Sequence, residues 1–192
     1  MKKLVAVCLC LVLALASAVC SAADTYHAYF GVQGTDTYVF RNAWSDNYGL
    51  NDTVHPYFDR LTGWDGGEKA EDGSVNYGGE FTDAEITGSG DYTVTLTTGE
   101  MGFGETKAFN MLFVSTDIPG SLVKDGKVTI ENIRARIGSE AEELEIPLLA
   151  VDASGRYVTI YVINTYNEKP AFEYAVPGAN DTITISFTVS GL

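Results

Sequence analysis

Aromatic rings mixed with short polar side chains are the chemistry this chain concentrates, and it does so between Tyr38 and Trp64. That stretch holds both tryptophans, Trp44 and Trp64, together with Tyr48, Tyr57, Phe58, Arg41, Arg60 and His55. Flat rings lie well against the apolar face of a sugar, and Tyr and Trp add a polar edge to a large rigid surface. Asn, Asp and Arg side chains hydrogen-bond sugar hydroxyls. Trp44, Trp64, Tyr48 and Tyr57 are therefore the expected platforms, and Arg41, Asn42, Asp46 and Asn47 the expected polar contacts. The competing reading plugs the tryptophans into the frame as core, since tryptophan is usually well buried.

Other chemistries find little support. There is no Gly-x-Ser-x-Gly elbow, and the cysteines, Cys8, Cys10 and Cys20, all fall near the N-terminus. His27 and His55 are the only histidines, and neither has a partner at metal-binding spacing. Carboxylates are abundant, with Glu80, Glu85, Glu100 and Asp117 as candidate members of a glycosidase pair, but no spacing singles out two. The acidic run from Asp65 to Asp72 lacks the spacing of a calcium loop and reads as an exposed turn. Asn51 and Asn180 open glycosylation acceptor triplets, which matter only in a host that modifies them. The chain is expected not to be an enzyme.

The elements that must position the aromatic stretch read as strands. Between Asn42 and Trp64 no period of 2 or 3.6 emerges, and Gly49, Pro56 and Gly63 punctuate it, so a long ordered loop is expected. Strands are expected over 25–33, 37–41, 75–86 (broken at Gly78-Gly79), 91–98, 109–114, 128–137, 157–163 and 182–189. The last alternates strictly, with Ile183, Ile185, Phe187 and Val189 on one side and Thr182, Thr184, Ser186 and Thr188 on the other. Tyr92, Val94 and Leu96 alternate with threonines in the same way. The segment 109–114 is apolar throughout, as a strand buried on both faces would be. In 128–137 the apolar phase slips at Glu131-Asn132, which predicts a bulge. Helical periodicity is nearly absent. The expected fold is an all-β antiparallel sandwich of jelly-roll type, with about eight to ten strands.

The N-terminus reads as a targeting segment: Met-Lys-Lys, an apolar run from Leu4 to Leu15, then small residues to Ala23. Residues 1–23 are the expected signal peptide, 24–192 a single domain, and the location extracellular; lipid anchoring at Cys20 is the alternative. The mature chain would then contain no cysteine, so disulfides would not hold it together. About 170 residues suffice for one domain with a core, and no second apolar run approaches the roughly 20 residues that span a bilayer. Lys and Arg number 12 against 26 Asp and Glu, for a net charge of −14. Such a surface repels nucleic acid and anionic membranes and suits neutral or cationic partners.

Three segments carry a family likeness: Tyr-His-Ala-Tyr-Phe-Gly-Val-Gln at 26–33, Thr-Tyr-Val-Phe-Arg-Asn-Ala-Trp at 37–44 and Leu-Phe-Val-Ser-Thr-Asp-Ile-Pro at 112–119. They resemble secreted proteins of gut and rumen clostridia that look like jelly-roll carbohydrate-binding modules, and 88–96 is similar to a strand that recurs in such modules. The resemblance implies non-catalytic binding of a neutral polysaccharide, and it implies a structural calcium without indicating its ligands here. Such modules usually accompany an enzyme domain, and none is expected within these 192 residues. The rival readings are an extracellular protein-interaction or adhesion module and a small secreted glycoside hydrolase.

Overall fold

The alternation at the C-terminal end of the chain becomes the central strand of a sheet, and the doubly apolar segments become the centre of another. The computed structural model describes residues 24–41, 47, 59–63, 75–138, 150–166 and 176–192. Among these residues are twelve strands and one short helix: β1 (Tyr26–Gly34), β2 (Thr37–Val39), β3 (Leu61–Gly63), β4 (Asn76–Gly78), β5 (Glu80–Thr82), β6 (Ala84–Ile86), β7 (Gly90–Thr97), β8 (Phe109–Pro119), α1 (Gly120–Lys124), β9 (Thr129–Ile137), β10 (Ala150–Asp152), β11 (Tyr157–Asn164) and β12 (Thr182–Ser190). All pairings among them are antiparallel. The larger sheet runs β10-β11-β8-β1-β2-β3-β4, with β6 also paired to β1; the smaller runs β5-β7-β12-β9. The protein is an all-β sandwich, and from β4 to β10 consecutive strands alternate between the two sheets, β9 to β10 included.

The core lies where the sheets face each other. Phe30 and Val32 of β1, Leu112 and Val114 of β8 and Ile160 of β11 meet Val94 and Leu96 of β7, Ala135 of β9, and Ile183, Ile185 and Phe187 of β12. Each large apolar side chain buried here contributes about 1.5–3 kcal/mol. The larger sheet is buried on its other face as well, where Tyr38, Phe40, Met111, Phe113 and Tyr161 form a second apolar cluster. That double burial is why β8 and β11 lack polar alternation. Gly31 lies opposite Phe113, whose ring occupies the space a Cβ at 31 would need.

Three departures from the sequence expectations have local causes. The segment 75–86 is three strands rather than one. Gly78 and Gly79, at φ 73° and 103°, turn the chain from the larger sheet into the smaller, and at Asp83 it turns back. Leu61–Gly63, expected within a loop, is β3, paired to both β2 and β4. Three residues are too few to display a period, so this strand was silent in the sequence. The same holds for β10, which adds an edge to the larger sheet. The bulge in β9 is present: Asn132 sits at φ 51°, and the register against β12 shifts between Ser186 and Thr188.

Candidate binding face

The outward positions of the smaller sheet form a polar groove. On β12 the inward side chains are apolar, so Thr182, Thr184, Ser186 and Thr188 point outward, half-buried. The register aligns them with β7, placing Ser186 opposite Thr93, Thr184 opposite Thr95 and Thr182 opposite Thr97. Thr93 and Ser186 hydroxyls lie 2.9 Å apart, and those of Thr97 and Thr182 3.3 Å. On the other side, β9 sets Arg134 opposite Ser186 and Arg136 opposite Thr184. Each arginine therefore begins a row that continues across two hydroxyl-bearing strands. Asn132 donates to Thr188 Oγ1 at 3.3 Å, and Thr188 donates to Asp91 Oδ1 at 2.6 Å.

The groove over these rows has a volume of about 980 Å³. Its lining includes Asp91, Thr93, Asn132, Arg134, Arg136, Thr184, Ser186 and Thr188, with Tyr92 and Phe187 beneath. The Tyr92 hydroxyl donates to the Gly88 carbonyl at 2.7 Å, and its ring is 6.1 Å from that of Phe187. The floor is thus fixed by packing while hydroxyl, amide and guanidinium groups line the surface. This surface can hydrogen-bond an extended polar ligand along the sheet. Sequence analysis identified the threonine-bearing faces of β7 and β12 as outward without assigning them a site. A further signal was in the chain: Arg134 and Arg136 alternate with the inward Ala135 and Ile137.

Of the eight residues expected to bind ligand, Trp44, Trp64, Tyr48, Tyr57, Asn42 and Asp46 lie outside the described residues. The acidic run 65–72 lies there too. Arg41 and Asn47 are placed, and both are turned into the protein. Arg41 is 5% exposed; its guanidinium donates to both Asp83 oxygens at 2.5 and 3.0 Å and to Asp59 Oδ1 at 2.7 Å. It also sits 4.5 Å from the centre of the Phe81 ring. The topology explains this arrangement. β2 pairs with β1 at Val32 and Gln33 and β6 pairs with it at Tyr26, His27 and Ala28, with a gap between the two short strands along β1. Arg41 follows β2 and Asp83 precedes β6, so their ion pair spans the gap. Asn47, also buried, donates to Thr159 Oγ1 at 3.1 Å and accepts from the Tyr157 backbone N–H at 2.6 Å.

Of the four carboxylates considered for catalysis, Glu85 and Asp117 flank His27 from β6 and β8, and the other two stand elsewhere. Glu80 is on β5, and Glu100 is in the turn after β7. Glu85 lies opposite His27 across the β1–β6 pair. His27 Nδ1 lies 3.2 Å from Asp117 Oδ2, and the His27 backbone N–H donates to Asp117 Oδ1 at 2.5 Å, tying the start of β1 to β8. Among the described residues no group of three His, Cys, Asp or Glu side chains could hold a metal ion, and no helix is long and apolar enough to cross a membrane. No family model matches the chain, and no curated protein or solved structure is significantly similar to it.

Proposed function

We propose that the protein binds a glycan outside the cell and releases it unchanged. The observation that carries this reading is the groove on the smaller sheet, whose rows of Thr and Ser hydroxyls and Arg and Asn donors match the dense, alternating donors and acceptors of a sugar chain. Its volume of about 980 Å³ exceeds what a single small polar molecule fills. Glycoside hydrolysis uses two facing carboxyl groups, whereas Asp91 is the one carboxylate among the described lining residues and already accepts the Thr188 hydroxyl. Trp44, Trp64, Tyr48 and Tyr57, outside the described residues, enter the same proposal as sugar-stacking platforms on the strength of their side-chain chemistry alone.

Affinity electrophoresis through gels containing soluble polysaccharides tests this reading. At least one polysaccharide should retard the chain without being shortened. Replacing Thr93 and Thr184, both in the groove lining, with Val should weaken retardation several-fold. Trp44→Ala or Trp64→Ala should abolish it with the melting temperature nearly unchanged, whereas a large fall in melting temperature would mark those rings as core. Failure of every polysaccharide to retard the chain would sink the reading.

A further inference from the structure

The charge of the groove is opposite to that of the molecule. The chain carries −14, yet among the described residues the charged ones lining the groove are Arg134, Arg136 and Asp91. Glu131, on the same strand before the bulge, is outside that lining. The two arginines lie two residues apart on one face of β9, hence about 7 Å apart along the strand. Both are exposed, and Arg136 makes no ion pair with any described residue. A guanidinium presents a planar fork of donors that matches a carboxylate with two parallel hydrogen bonds. Beside each fork stands a hydroxyl, Ser186 or Thr184, suited to a neighbouring sugar hydroxyl. At the far edge of the sheet β5 carries Glu80, exposed, which disfavours an anion there and biases its charge toward β9.

We infer that the groove takes an acidic polysaccharide bearing a carboxylate on its sugars, with two of those carboxylates paired to Arg134 and Arg136. This rests on the glycan reading and narrows it: the acidity of the whole chain favours neutral or cationic partners, but at contact distance the groove's own charges decide, because charges farther away than about 8 Å are largely screened at physiological salt. The remaining acidity of the surface then opposes non-specific capture of anions elsewhere.

The experiment compares polygalacturonate with its fully methyl-esterified form, which keeps the sugar chain and removes the charge. The full chain should bind the acidic form more tightly, with affinity falling as salt is raised from 50 to 500 mM, a range over which the Debye length drops to a few ångströms (about 4 Å). Arg136→Gln should weaken binding to the acidic form about fivefold, the upper end for one exposed ion pair. The Arg134→Gln/Arg136→Gln double variant should weaken it by about 25-fold if the two pairs are independent. Both should weaken binding to the methyl-esterified form less than to the acidic form, because only uncharged hydrogen bonds are lost there, and both should leave the melting temperature nearly unchanged, since the two side chains are exposed. Equal binding of the two forms, unaffected by Arg136→Gln, would overturn the charge assignment and leave the glycan reading standing. Binding to neither form, with some other neutral polysaccharide bound, does the same. Binding to no polysaccharide at all overturns both. Tighter, Arg136-dependent binding of polyglutamate or single-stranded DNA would replace the sugar chain with another anionic polymer and overturn the assignment of the occupant.

Discussion

Arg41 shows how one residue's chemistry is reassigned by its surroundings. Its type and its place in an aromatic stretch suit a sugar contact, yet its guanidinium lies buried between Asp83, Asp59 and the Phe81 ring. Breaking a buried pair strands a charge, so Arg41→Ala should lower stability by about 3 kcal/mol, seen as an earlier chemical-denaturation midpoint. Arg41→Lys should recover only part of this, because a single ammonium cannot engage both Asp83 oxygens and Asp59 in the same geometry. A loss below about 0.5 kcal/mol for Arg41→Ala would show that the clamp is not structural. Asn47 repeats the lesson, its amide joining Thr159 to the Tyr157 backbone. Residue type named the hydrogen-bonding capacity of both, while the direction of each side chain depends on partners 18 to 112 residues away.

At the scale of elements, phase was the reliable signal and length its limit. The alternations of β7 and β12, the doubly apolar β8, the strand β11 and the slip in β9 were all legible, because each runs for eight residues or more. The three-residue strands were not, because a period of two needs several repeats to stand out. The bulge yields a prediction of its own. Asn132 sits at φ 51°, where a β-branched residue meets its own backbone. Asn132→Val should therefore cost about 1–2 kcal/mol, and Asn132→Gly should be close to neutral apart from the bond lost to Thr188. Equal thermal shifts for the two variants would show that the backbone conformation at 132 is not what the sequence is selected to supply. The consequence reaches the groove, since the bulge sets the phase that turns Arg134 and Arg136 outward beside Ser186 and Thr184.

For the whole molecule, the larger sheet is buried on both faces and the smaller presents one face to solvent, so the two sheets divide stability from binding. The cluster around Phe113 should then behave as a second core. Phe113→Ala and Phe187→Ala, from the two different layers, should each cost about 3–5 kcal/mol in denaturant unfolding. A near-neutral Phe113→Ala would reduce the outer cluster to a surface patch. The groove variants, by contrast, should alter binding and leave unfolding nearly unchanged.

By itself the sequence determined the fold class, the long strands, which of their faces are apolar, and the place of the bulge. All of these are local: side chains alternate across a strand with a period of two, so burial is written into neighbouring residues. Only the tertiary structure decided that the segment 75–86 crosses between sheets twice, that Arg41 closes a gap beside β1, and that two arginines of β9 stand next to the hydroxyls of β12 and β7. Those are matters of which strands become neighbours and in what register. The paired residues there are 46 to 99 positions apart, and no period within one segment specifies its partner.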